Sequence, residues 1–279
     1  MTKPFAQIVL KKPERQAFSR LGHPWFYRSH IKEVKGDIQP GALAQIVQSN
    51  GAPVGVGYFN PNSEISVRLL SHRSETIDKE FFKNKITAAV DQRKRFVRES
   101  NAMRLISSEA DGLPGLIVDK YDEVLVVQFL TLGMEQLRGT VLEALEAVVP
   151  SRGVYERSDS SSRKIEGLPE KTGWIRQDCA AETTVLERDI RFQIRFDQGH
   201  KTGFYLDQRE NRLLMRDMGL QGEVLDAFCY SGGFGLHLAK AGCRVTGIDI
   251  QKEAIEQAQA NRALNGISEE SAPVPSFMN

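Results

Sequence analysis

The stretch VLDAFCYSGGFGLHLAKAGCRVTGIDI, residues Val224–Ile250, decides the fold. Glu223–Ala227 is a short apolar run with the look of a buried strand, and Ser231–Gly235 is a glycine-rich turn. Leu236–Ala241 opens a helix, Arg244–Ile250 is expected to be a second buried strand, and Gln251–Asn265 a helix. This order predicts one β-α-β-α run of a parallel sheet with a right-handed crossover.

The same stretch carries a constellation of functional residues. Gly232, Gly233 and Gly235 have no side chains to keep a ligand away from the backbone N–H groups at a helix start. Asp249, about 20 residues beyond the first strand and at the tip of the second, is placed to accept both hydroxyls of a ribose. A dinucleotide fingerprint would put G-x-G-x-x-G directly after the strand, whereas here Asp226-Ala227-Phe228-Cys229-Tyr230-Ser231 precede the glycines. The carboxylate of Asp226 would repel a pyrophosphate and attract the cationic end of S-adenosylmethionine. The pattern therefore favours a nucleoside cofactor of that kind over a nicotinamide.

Upstream, two further regions are legible. Apolar runs at Ala6–Leu10, Ala42–Gln48, Gly55–Tyr58 and Ile65–Leu70 are punctuated by Pro40-Gly41, Asn50-Gly51 and Asn60-Pro61, which predicts a small β-barrel. Arg20, His23, Trp25, Tyr27 and Arg28 mix cations with aromatics in a way suited to phosphates and bases, although Trp25 and Phe26 equally suit the plug of a small core. From Ile77 an amphipathic helix is expected, with Phe82, Ile86, Ala89, Val90, Arg93 and Val97 on one face and Lys83, Lys85, Lys94, Arg95 and Arg98 on the other. A hairpin of Leu116–Asp119 with Val124–Leu130, a helix over Leu132–Val148, a strand at Gly153–Glu156 and a hairpin bent at Arg188-Asp189 complete an α+β unit. The polar segment SDSSSRKIEGLPE reads as a loop.

The 279 residues have room for about two domains, and 41% hydrophobic with 26% charged residues excludes wholesale disorder. Three cysteines, Cys179, Cys229 and Cys243, fit no zinc spacing, and the N-terminal residues have no signal-peptide core. With no run of about 18 apolar residues, the expectation is a cytoplasmic protein without metal or membrane span. The net charge of +1 conceals polarity: residues 1–35 carry +6, residues 68–104 carry +5, and residues 105–150 set two cations against eight carboxylates. That distribution suits an RNA partner held by phosphate contacts, or ordinary solvated faces.

HKTGFYLDQRENR (His200–Arg212) followed by VLDAFCYSGGFG resembles the cytosine-C5 methyltransferases of large-subunit ribosomal RNA. GHPWFYRSHI (Gly22–Ile31), EADGLPGLIVDKY (Glu109–Tyr121) and YERSDSSSRKIEGL (Tyr155–Leu168) are similar to further family stretches, so the resemblance covers residues 4–266. It implies an α/β and α+β multidomain chain. A PUA-like RNA-binding β-barrel is expected over residues 1–72, a central α+β domain over 73–197, and the N-terminal part of a Rossmann-like methyltransferase domain over 198–279. S-adenosyl-L-methionine is the implied cofactor and large-subunit ribosomal RNA the implied partner. By the same resemblance Asp226, Cys229, Tyr230, Gly232 and Gly233 would line the cofactor's methionine side. Asp249 would hold the ribose, Ile250 would flank the adenine, and Tyr205, Asp207 and Arg209 would border the cofactor or the RNA entrance. Arg20, His23, Trp25, Arg28, Lys94, Arg95 and Arg98 are the expected RNA contacts.

The family's chemistry uses a cysteine thiolate that adds to C6 of the base and so activates C5. That cysteine and an Asp-Pro-Pro motif lie late in the family's catalytic domain, beyond the point where this sequence closes in SEESAPVPSFMN. Cys229 falls in the cofactor turn, Cys243 at the start of a buried strand and Cys179 in another domain. The expectation is therefore a methyltransferase domain cut short, with no catalytic residue present and no activity alone. The alternative is a non-catalytic RNA-binding protein built from the first two domains. A nicotinamide-dependent oxidoreductase lacks its fingerprint, and a homodimer is left open.

Overall fold

The computed structural model describes residues 6–12, 23–196 and 202–267. The chain forms two compact units: Met1–Phe96 with Leu105–Asp119 and Leu125–Gln177, and Val97–Arg104 with Lys120–Val124 and Asp178–Asn279. No helix among the described residues is long and apolar enough to cross a membrane.

The first unit begins with β1 (Gln7–Leu10), β2 (Trp25–Phe26), β3 (Ile31–Lys35), β4 (Leu43–Val47), β5 (Pro53–Phe59) and β6 (Val67–Ser71). They form a six-stranded sheet of order β2-β6-β5-β4-β1-β3, with β1 and β4 parallel. Alternate residues face one side, so Ile8 and Leu10, Ala44 and Ile46, and Val67 and Leu69 meet Phe26 and Phe59 in a single core. The turn punctuation predicts four of these strands. It misses β3, which is mostly exposed, and the two-residue β2. β2 and β3 are the outer members of this order, so among the described residues the expected barrel is a half-barrel.

Helix α1 (Lys79–Phe96) follows, its first turn capped by Asp78, whose Oδ1 accepts the Phe81 N–H at 3.0 Å. It buries Phe82, Ile86, Ala89 and Val90 of the expected face and Phe81 besides, while Arg93 is half-buried and Val97 lies beyond its last residue. Strands β7 (Ala102–Ser107), β8 (Leu116–Tyr121), β9 (Val124–Phe129), β10 (Gly153–Ser158) and β11 (Lys171–Gln177) make a five-stranded sheet of order β11-β10-β9-β8-β7. Asp122 takes φ +54° in the tight turn between β8 and β9. The helix expected over Leu132–Val148 is instead two, α2 (Leu132–Gln136) and α3 (Arg138–Val148), broken at Leu137 where ψ is 2°. α1 packs on α3. The polar segment read as loop contains a short helix, α4 (Ser162–Ile165), ordered by Arg163, whose side chain is 1% exposed and paired with Glu135 at 2.9 Å.

In the second unit β12 (Glu182–Glu187) and β13 (Ile190–Arg195) form the hairpin expected around Arg188-Asp189. Helix α5 (Arg209–Asp217) leads to β14 (Glu223–Ala227), α6 (Gly233–Lys240), β15 (Arg244–Ile248) and α7 (Lys252–Leu264). β14 and β15 are parallel, with Asp226 opposite Gly247 and Ala227 opposite Ile248. Leu238, Ala239, Cys243 and Val245 form the core between α6 and β15. The β-α-β-α order is therefore the observed topology, with α6 starting three residues earlier than Leu236 because the glycines themselves open the helix, but the strands are not the buried ones expected: no residue of β14 is buried, and of β15 only Val245 is.

Candidate cofactor site

β14 ends at Ala227, and the chain then turns through an unusual run of backbone conformations. Phe228 has φ +62°, Tyr230 +49° and Gly232 +82°, of which only the last is free of steric cost. Neighbouring groups hold the strained residues. Cys229 N–H donates to Ile248 O at 2.9 Å, and Tyr230 N–H donates to Asp249 Oδ2 at 2.9 Å. Asp249 Oδ1 accepts Gln251 N–H, also at 2.9 Å. Asp226 Oδ2 accepts the Gly235 N–H at 2.9 Å, inside the first turn of α6. A Cβ at Gly235 would stand 3.1 Å from that oxygen, so the glycine is needed for the contact.

The turn walls a cavity of about 360 Å³ at the start of α6. Of the residues expected around a cofactor, Tyr205, Cys229, Tyr230, Gly233 and Asp249 line it. Tyr205 meets Tyr230 edge to face, with ring centroids 5.2 Å apart. Asp207, Arg209, Asp226, Gly232 and Ile250 do not line it. Arg209 is instead buried in α5 and paired with Glu210 at 2.6 Å. Asp226 is turned to the helix start, and Ile250 stands 90% exposed beyond the strand tip. The cavity also takes in Arg212, Phe228, Ser231 and Gln208, which were not expected there. Arg212 has a signal in the sequence, since Arg209, Arg212 and Leu213 share one helical face; the glycine-rich pattern around Ser231 points only to its backbone.

Electrostatics set the protonation of the site. Burial raises the Asp226 carboxyl above its ordinary range, the Gly235 N–H opposes that, and Asp249 adds to it. Burial, then Asp226 and Asp249, push the Cys229 thiol up to about 12. A thiol in that setting is a poor nucleophile at neutral pH.

Residues 8–72 match the model of a PUA-like domain, and residues 221–273 match that of a methyltransferase domain. The chain is 37% identical over 264 residues to ribosomal RNA large subunit methyltransferase I of Shewanella amazonensis, an alignment covering 93% of the chain and 67% of the relative. The namesake from Shewanella frigidimarina is 38% identical over 265 residues, with 93% and 67% covered. The chain belongs to this family. It spans about two thirds of the length of these relatives. The crystal structure of the methyltransferase SMU.776 complexed with SAH superposes with a TM-score of 0.80 at 18% identity, covering 98% of this chain and 70% of that one, which establishes the shared fold.

In this member of the family the motif residues Tyr205–Arg212 are tied to the cavity by one buried guanidinium. Arg212 Nε donates to Glu187 Oε2 at 2.9 Å, and Nη1 donates to Tyr205 O at 3.0 Å. Its guanidinium carbon lies 4.6 Å from the centre of the Phe204 ring. A Cβ at Gly233 would stand 3.1 Å from Arg212 Cδ, so a glycine here lets the arginine underlie the helix start.

The expected RNA contacts divide. Arg20 lies outside the described residues. His23, Arg28, Lys94, Arg95 and Arg98 are exposed. Arg93, on the expected inner face of α1, instead makes a two-pronged pair with Asp111 at 2.7 and 2.6 Å. Trp25 is half-buried. Its indole N–H donates to Glu109 Oε1 at 2.8 Å, Arg68 sits 5.8 Å over the ring, and His23 packs edge-on at 5.2 Å. Phe26, 7% exposed, belongs to the core of the six-stranded sheet, so the plug reading holds for that residue.

Proposed function

We propose that the chain binds S-adenosylmethionine in the cavity beside α6 and serves the methylation of large-subunit ribosomal RNA at C5 of a cytosine. The observation that carries this reading is the convergence of a glycine-opened helix start and the Asp249 carboxylate on one cavity of about 360 Å³. That size suits a nucleoside-sized molecule, and the partial positive charge of a helix N-terminus suits a carboxylate there. Asp226 and Asp249, both near the turn, disfavour a pyrophosphate. The residues fit the cofactor: Asp249 would accept the ribose hydroxyls, the backbone around Gly233 would take the amino-acid end, and Phe228 offers apolar surface to an adenine, which Ile250 would flank from its exposed place outside the cavity lining. When bound, S-adenosylmethionine supplies an electrophilic methyl group. The division into domains at 1–72, 73–197 and 198–279 is part of the same proposal, with Arg20, His23, Trp25, Arg28, Lys94, Arg95 and Arg98 as its RNA-facing residues.

These residues bind and orient rather than activate the base. Cytosine C5 is a weak nucleophile until a thiolate adds to C6. Cys229 is held protonated, Cys243 is buried with its thiol donating to Leu220 O at 3.1 Å, and Cys179 does not line the cavity. The 279 residues therefore hold cofactor and RNA without completing the transfer. Calorimetric titration with S-adenosylhomocysteine tests the first part, and incubation with tritiated S-adenosylmethionine and ribosomal RNA tests the second. Absence of heat at millimolar ligand defeats the cofactor reading. Label in cytosine that disappears on Cys229→Ala or Cys179→Ala shows that the nucleophile has been misplaced.

A further inference from the structure

Helix α7 meets β13 with side chains where a third strand would use its backbone. Asn265 Oδ1 accepts the Arg191 N–H and its Nδ2 donates to Arg191 O, both at 2.7 Å. Asn261 Oδ1 accepts the Gln193 N–H at 2.9 Å, and Gln257 Nε2 donates to Gln193 O at 3.1 Å. Residues 257, 261 and 265 are one helical face at four-residue spacing, and 191 and 193 are alternate residues whose backbone groups share one strand edge. The row of amides satisfies that edge.

Asn261 does something its neighbours in the row do not. It is fully buried, and its Nδ2 also donates to Ser231 O at 3.0 Å. Ser231 sits in the strained turn, directly after Tyr230 and before Gly232. A Cβ at Gly232 would stand 3.3 Å from Ala258 Cβ, so the glycine lets α7 come this close. One amide thus joins the hairpin β12–β13 to the backbone that walls the cavity.

We propose that Asn261 is a positioning residue for the cofactor turn: by fixing the Ser231 carbonyl it keeps the 229–233 backbone in its ligand-ready shape. This rests on the reading that S-adenosylmethionine occupies the cavity. Asn261 does not line the cavity, so its effect passes through Ser231. Asn265 docks the same helix on the same strand without touching the turn, which makes it the control for a merely structural role.

The test is calorimetric titration of the full chain with S-adenosylhomocysteine. Asn261→Asp keeps an acceptor for Gln193 and loses the donor to Ser231; it is expected to bind about tenfold more weakly, as is Asn261→Ala. Asn265→Ala is expected to bind within about twofold of the native chain. Native-like affinity of Asn261→Asp, or equal weakening by Asn265→Ala, overturns the proposal. A native chain that does not bind the probe overturns the cofactor reading instead, a separate outcome. Should the Asn261 variants fail to fold, the native chain decides. The side-chain amide resonances of Asn261 are expected to move on addition of S-adenosylhomocysteine, and unmoved resonances overturn the proposal.

Discussion

Glu187 and Arg212 form a two-pronged ion pair from which solvent is shut out, with side chains 0% and 2% exposed. His237 Nε2 reaches the same carboxylate at 3.3 Å. The end of β12, the motif helix α5 and the second turn of α6 are thus joined by one buried charge cluster. Removing one partner of such a pair strands the other in a medium that cannot solvate it. Glu187→Ala is expected to cost about 3–5 kcal/mol in urea unfolding, within the range for breaking a buried pair, and Glu187→Gln less, because an amide oxygen still accepts from Arg212. A loss under about 1 kcal/mol for Glu187→Ala would contradict this account.

The cluster also sets a pH dependence. Burial alone would raise the Glu187 carboxyl, but hydrogen bonds from His237 and Arg212 outweigh it and hold the group below its ordinary value of 4.5. A carboxyl depressed in the folded state gives stability that is complete above the unfolded value and is lost as pH falls through the folded one. Unfolding free energy of the native chain is therefore expected to fall as the solution is acidified below 4.5, with a shallower fall in Glu187→Gln. Parallel curves for the two proteins would remove Glu187 as the cause.

Thiol reactivity should follow the environment of each cysteine. Cys229 is buried and its thiol is pushed up to about 12, and Cys243 is 1% exposed, whereas Cys179 is half-buried. Iodoacetamide at pH 8 is expected to modify Cys179 first, by peptide mass mapping, with Cys229 labelled only on unfolding. Fast labelling of Cys229 in the folded chain would contradict its protonated, buried state.

Asp249 is expected to act both on the turn and on the ligand. Its two oxygens already accept the Tyr230 and Gln251 N–H groups, each at 2.9 Å, and a carboxylate oxygen has a further lone pair for a hydroxyl. Asp249→Ala should lose about 2 kcal/mol of S-adenosylhomocysteine affinity, roughly 30-fold. Unchanged titration curves would take Asp249 out of the site.

Binding of ribosomal-RNA fragments should weaken steeply with salt. Lys94, Arg95 and Arg98 are exposed, and each phosphate contact removed should lower the log–log slope by about 1. A triple alanine variant with the native slope and affinity would show that these cations do not touch RNA.

Turn residues bounding short apolar runs made Gln7–Leu10, Leu43–Val47, Pro53–Phe59 and the hairpin of β8 with β9 legible, and alternation with one buried face did so for the hairpin of β12 with β13, because each is a local pattern. What escaped had no such pattern. β11 is exposed at its ends and only half-buried between, α4 is ordered by one buried arginine, and the break at Leu137 lies in an otherwise continuous apolar face. Tyr58 packs on Gly133, where a Cβ would stand 2.0 Å from the ring, a constraint from 75 residues away that no local window contains.

The sequence by itself determined the β-α-β-α order, the glycine turn and the carboxylate at the second strand tip, since strand length, glycine and helix spacing are local properties of the chain. Only the tertiary structure decided which of those groups face the cavity. Asp226 turned to the Gly235 N–H, Arg209 paired with Glu210, and Arg212, Ser231 and Phe228 took the places around the turn. The physical reason is that a buried polar group takes whichever partner packing brings within about 3 Å. The partners that mattered here, Glu187 for Arg212 and Asn261 for Ser231, stand 25 and 30 residues away along the chain.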